Sequence, residues 1–162
     1  MKVLGIDPGL ATIGLGVVIT SSTQEIRLEE WLLLRTKAGL DAGERLEEIH
    51  RDLTTYLRDL RPDLAVVEKL FFETNVKTAM DVAQARGVIL LALRQAAIPI
   101  LEATPLQVKS AITGDGKADK RQVQDMVVRI LQLSERPSDD AADALALAAY
   151  GALHARTAIT LP

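Results

Sequence analysis

Four carboxylates in this chain, Asp7, Glu68, Asp140 and Asp143, stand where short-range sequence can bring acids together. Asp7 closes the apolar run Val3-Leu4-Gly5-Ile6 and is followed by Pro8-Gly9, a strong turn signal. Glu68 closes a second apolar run, Leu64-Ala65-Val66-Val67. Asp140 and Asp143 lie three apart at the start of a helical stretch and therefore share a helix face. Carboxylates at the ends of buried strands cost free energy unless they are paired or hold a metal. An all-oxygen donor set suits hard cations such as magnesium or manganese. Two such ions, roughly 4 Å apart, can clamp the attacking and leaving oxygens of a phosphodiester displacement. The chemistry expected is metal-assisted phosphodiester hydrolysis, with Asp7 as the first ligand of the site.

Each acid also has a plainer explanation. Asp-Pro-Gly makes a turn without any metal. Asp139, Asp140 and Asp143 would complement a helix dipole and cap its free amides. Glu68 is harder to explain away, because a glutamate ending a buried Ala-Val-Val run needs a partner. The combination is more specific than any of its members.

The elements that must position these acids are readable in order. Strands are expected at Val3 to Asp7, Gly14 to Thr20 and Glu30 to Arg35, close enough in sequence to form an antiparallel meander. Leu46, Ile49, Leu53, Leu57 and Leu60 recur at helical spacing, so Ala42 to Leu60 reads as an amphipathic helix ended by Arg61-Pro62. The strand ending at Glu68 follows, then a long helix from Asn75 to Ala97 and a short strand at Ile98 to Leu101. Pro99 places that strand at a sheet edge or at its own first residue. Thr104-Pro105 opens a helix to about Ile112. A glycine-rich loop, Thr113 to Ala118, precedes a helix from Asp119 to Leu133. Ser138 or Asp139 caps a last helix reaching the region of Leu153. Its small residues, Ala144 to Ala149, suit close packing on a sheet. The fold class expected is α/β: a mixed five-stranded sheet flanked by helices, an antiparallel meander followed by parallel strands, in a single domain over residues 1–162.

Composition bounds the partners. The chain has 162 residues and no cysteine, so neither a disulfide nor a thiolate metal site is possible. No secretory leader is expected, since the first apolar run meets Asp7 within a few residues. No stretch has the length or character of a membrane span, so a cytoplasmic protein without membrane contact is expected. The formal net charge is -3, which alone disfavours a polyanionic partner. Local clustering matters more than net charge for phosphate binding, and Lys109, Lys117, Lys120 and Arg121 form such a cluster.

Five motifs then coincide: Gly5-Ile6-Asp7-Pro8-Gly9, Val67-Glu68-Lys69-Leu70-Phe71, Gln84-Ala85-Arg86-Gly87, Thr104-Pro105 with Val108-Lys109, and Asp140-Ala141-Ala142-Asp143-Ala144. Together, in this order and over Met1 to about Tyr150, they resemble the RuvC Holliday-junction resolvases. The resemblance implies an RNase H-like fold and a homodimeric, metal-dependent endonuclease that nicks four-way DNA junctions. It implies two magnesium or manganese ions per subunit, and Asp7, Glu68, Asp140 and Asp143 as both catalytic acids and ligands. It further implies paired nicks in strands of like polarity, 5′-phosphate and 3′-hydroxyl products, and the branch-migration proteins RuvA and RuvB as partners. Phe71 matches the family's aromatic contact to unpaired junction bases. Lys109 and Lys120 match positions that contact DNA or assist the transition state, and Lys117 and Arg121 are further phosphate contacts from the same region. Asp139 is expected to cap the last helix outside the site, and Arg86 to serve helix packing. The helix from Asn75 to Ala97 is the implied subunit interface.

Three other classes stay in view. An actin-like or sugar-kinase ATPase also opens with a strand and Asp-x-Gly, but it needs a second phosphate loop that this chain lacks. Gly116-Lys117 is followed by Ala118, so no Walker motif is present. A silent nucleic-acid-binding module would not need all four acids. A different RNase H-like nuclease, acting on RNA or simple duplex, is the nearest enzyme alternative.

Overall fold

A computed structural model of the chain describes residues 1–21, 25–69 and 76–158. Three strands open it: β1 (Lys2–Asp7), β2 (Thr12–Thr20) and β3 (Ile26–Arg35). Helix α1 (Ala42–Leu60), strand β4 (Leu64–Glu68), helix α2 (Val76–Gln95) and strand β5 (Ile100–Ala103) follow. Helices α3 (Pro105–Thr113), α4 (Lys120–Ile130) and α5 (Asp139–Ala158) complete the described chain.

The five strands form one sheet in the order β3-β2-β1-β4-β5. β1, β2 and β3 pair antiparallel, whereas β4 pairs parallel with both β1 and β5. The expected mixed sheet is therefore the observed one. Strand alternation then decides where the acids point. Leu4, Ile6, Ala65 and Val67 pack into a core with Ile49, Leu53, Ile89 and Leu93 of α1 and α2. Val3, Leu64 and Val66 pack on the opposite face, with α3, α4 and α5. Asp7 and Glu68 continue the second series, so both face the layer that carries α5.

Helix α5 lies unusually close to the sheet because β1 and β2 offer it glycine. A Cβ on Gly5 would fall 2.0 Å from the Ala144 carbonyl oxygen, and one on Gly14 would fall 2.1 Å from that of Asp140. No side chain fits either gap, so these glycines set the height of α5, and with it the height of its acids.

Helix boundaries follow local chemistry. Asp41, Thr104 and Asp119 each cap a helix reciprocally with Glu44, Gln107 and Gln122. Some boundaries differ from expectation. β3 starts at Ile26 rather than Glu30, because an edge strand tolerates the exposed charges of its first half. β5 runs from Ile100 to Ala103, beginning just after Pro99, which has no N–H to give the ladder although its carbonyl accepts the Ala65 N–H at 2.9 Å. α4 stops at Ile130, where the chain turns through Gln132 at φ 52. α5 continues past Leu153 to Ala158. Among the described residues, no helix is long and apolar enough to cross a membrane.

Candidate active site

The acids meet at the end of the sheet where β1 and β4 stop. Ile6 is the register partner of Val67, so Asp7 and Glu68 leave neighbouring parallel strands side by side. Asp143, one turn into α5, comes down on the same face. A cleft of about 240 Å³ results, lined by Asp7, Glu68 and Asp143, by Lys109 and Lys120, and by Pro105 and Val108. Asp140 stands at the rim: it is half-buried, its backbone rests on Gly14, and its charge acts on Asp7.

The electrostatics are those of crowded anions. Asp7 is pushed up to about 7, first by burial and then by the charges of Asp143, Glu68 and Asp140, with only Lys120 opposing. Glu68 is raised by burial and by Asp143, against Lys109 and Lys120. Burial also raises Asp143, partly offset by its hydrogen bond from Lys120. Three neighbouring carboxylates thus repel one another in a half-buried site that water screens only in part.

Lysine supplies the cation that the site holds. Lys120 Nζ lies 3.0 Å from Asp143 Oδ2 and 3.4 Å from Asp139 Oδ2. Asp139 departs from its expected role as a helix cap. It is the first residue of α5, and its carboxylate accepts a 2.9 Å hydrogen bond from Gln124 Nε2 while pairing with Lys120. Both contacts hold its pKa down. Gln124 carries little signal in the sequence. Its one signal is that an amide stands one turn after Lys120, between the buried Val123 and Val127.

The donor set fits hard divalent ions, because it is all carboxylate and because its crowded charges are relieved by a cation. Among the described residues, no three acids or histidines are set close enough to enclose an ion. Lys120 pairs with Asp143 beside the other acids. Asp7, Glu68, Asp140 and Asp143 are the residues available to an ion entering the cleft.

Of the basic residues, the structure brings Lys109 and Lys120 into the cleft. Lys117 and Arg121 are exposed on the loop before α4 and its first turn, outside the cleft wall. Phe71 lies outside the described residues. Arg86 does more than pack a helix: its Nε donates to the Glu68 carbonyl oxygen at 2.8 Å, and its guanidinium pairs with Glu102. His50 and His154 stay away from the site, with His50 bonded to Gln95 and His154 stacked on Tyr150.

The comparison that decides the family is a match of the model for crossover junction endodeoxyribonuclease RuvC to residues 3–150. The chain belongs to the RuvC family. A curated RuvC crossover junction endodeoxyribonuclease from Chloroflexus aurantiacus is 52% identical over 99% of this chain and 96% of its own length. One from Brevibacillus brevis is 48% identical over 91% of this chain and 89% of its own. Among solved structures, RuvC of Thermus thermophilus in complex with a Holliday junction superposes with a TM-score of 0.89 at 39% identity, covering 97% of this chain and 96% of that one. The yeast mitochondrial resolvase Ydc2 shares the fold at a TM-score of 0.68, with 15% identity over 93% of this chain and 77% of that one.

Proposed function

We propose that this chain is a crossover junction endodeoxyribonuclease that resolves Holliday junctions by phosphodiester hydrolysis. The observation that carries the reading is the convergence of Asp7, Glu68 and Asp143 in one cleft with Lys109 and Lys120 on its wall. The Thermus RuvC that fits so closely was solved on a Holliday junction, which supports the same class of substrate here.

Asp7, Glu68, Asp140 and Asp143 would hold two magnesium or manganese ions. Bound there, the ions would supply the Lewis acidity that activates water and stabilises the departing alkoxide. The protein's own share is positional and electrostatic. Gly5 and Gly14 let α5 carry Asp140 and Asp143 down onto the sheet. Lys120 and Lys109 face the acids and offer positive charge to a scissile phosphate. Lys117 and Arg121, exposed beside the cleft, would meet phosphates further along the strand, so binding should weaken as salt rises. Phe71, three residues beyond Glu68, would stack on an unpaired base, worth ~1–3 kcal/mol.

One cleft cuts one strand, so resolution requires two. A twofold homodimer provides paired nicks in strands of like polarity, leaving 5′-phosphate and 3′-hydroxyl ends. The exposed Met80 and Leu91 of α2 support that helix as the subunit interface. RuvA and RuvB are the proposed branch-migration partners, and the cytoplasm the proposed compartment.

The experiment compares a synthetic four-way junction with linear duplex and an RNA–DNA hybrid, in magnesium and in manganese. Symmetric nicking of the junction alone supports the reading. Equal or better cleavage of the duplex or hybrid would replace it with that of a general RNase H-like nuclease.

A further inference from the structure

We infer that Arg86 is a positioning residue that fixes the backbone under Glu68 and so sets the metal affinity of the cleft. The inference rests on the functional reading above. Glu68 is the last residue of a five-residue strand, and the chain leaves the sheet immediately after it. A strand end is where the backbone is least constrained, yet one of the site's acids stands there. The peptide unit joining Glu68 to Lys69 is held at both of its polar groups. Its carbonyl oxygen accepts from Arg86 Nε at 2.8 Å, and its N–H donates to the Ala103 carbonyl oxygen at 2.8 Å. The plane of that peptide is therefore fixed between α2 and β5.

Arg86 is itself held in aim. It is half-buried on α2 beside Ala85 and Ile89, which are fully buried against the sheet. Its terminal nitrogen pairs with Glu102, the residue of β5 that directly precedes Ala103. One planar guanidinium thus ties α2, β4 and β5 together at the site. It approaches from the face opposite α5, so it touches the backbone of Glu68 and leaves the carboxylate free for the cleft. Lysine can replace it only in part, since one ammonium on a flexible stem cannot serve the carbonyl and the carboxylate in the same fixed geometry.

The test uses the full chain and three variants: Arg86→Gln, Arg86→Lys and Glu102→Gln. Manganese binding to the metal-free protein is measured by calorimetry, stability by urea unfolding, and junction cleavage over a magnesium titration. Arg86→Gln is expected to weaken manganese binding about tenfold and to move the magnesium half-activation point up by a similar factor. Cleavage at saturating magnesium should largely recover. Arg86→Lys should fall between Arg86→Gln and the wild type, and Glu102→Gln should show a smaller shift in the same direction. Should Arg86→Gln fail to fold, the other two variants carry the test. Variants that lose stability but bind manganese with wild-type affinity would make Arg86 a packing residue and overturn the inference. A wild-type chain that neither binds manganese nor cuts the junction would overturn the functional reading and this inference together. Normal wild-type cleavage with unaltered variants would overturn this inference alone.

Discussion

Lys120 Nζ stands 3.0 Å from Asp143 Oδ2, so one of the site's acids is held by an internal cation. This pair is partly open to solvent, with Lys120 about half exposed, so its worth to folding is under about 1 kcal/mol. In the proposed reaction its worth would be larger, because it places positive charge in a cleft of crowded anions. Lys120→Met should therefore change urea unfolding by less than about 1 kcal/mol while lowering junction cleavage about a hundredfold. Parallel unfolding and cleavage measurements check the split. A large loss of stability with a matching loss of activity would make Lys120 a structural residue.

Gly14 and Asp140 make the second test. A Cβ on Gly14 would meet the Asp140 carbonyl oxygen at 2.1 Å, so alanine there must lift the first turns of α5. The expected cost is about 1–3 kcal/mol in chemical denaturation, as for an overpacked core. Cleavage should fall further than stability alone explains, because Asp140 and Asp143 rise with the helix. Wild-type stability in Gly14→Ala would show that the helix is not held at this height.

The acids were legible in the sequence because a strand that ends on a carboxylate leaves a local mark. Asp7 and Glu68 each follow an unbroken apolar run, and the spacing of Asp140 and Asp143 names a shared helix face. The supports were not legible, because they depend on which elements touch. Gly5 and Gly14 are ordinary strand glycines until α5 is laid across them. Arg86 reads as a helix-packing residue until the Glu68 carbonyl is found against it. Asp139 satisfies the pattern of a cap, yet Gln124 and Lys120 reach it from a neighbouring helix. The first half of β3 is hidden for a related reason, since an edge strand with one wet face lacks the apolar run of a buried strand.

Asp7 predicts how metal-free stability depends on pH. Its pKa in the folded protein is about 7, above the ordinary 3.8, so the folded state holds the proton more tightly than the unfolded chain. Its contribution is therefore greatest at low pH and is lost as pH rises from about 4 through about 7. The difference in melting temperature between wild type and Asp7→Asn isolates the effect, and it should move against the wild type across that window. Magnesium needs the ionised form, so its stabilisation of the wild type should be larger at pH 8 than at pH 5.5. Equal magnesium effects at the two pH values would contradict the assignment of Asp7 as a ligand.

We propose that Asp7 acts in the chemistry and not in the grip on DNA. Asp7→Asn keeps the side chain's shape and removes the charge that a cation requires. The most direct measurement is cleavage of a synthetic four-way junction in magnesium, alongside junction binding by gel shift. No cleavage and unchanged binding are expected. Retained cutting by Asp7→Asn in magnesium would contradict the proposal.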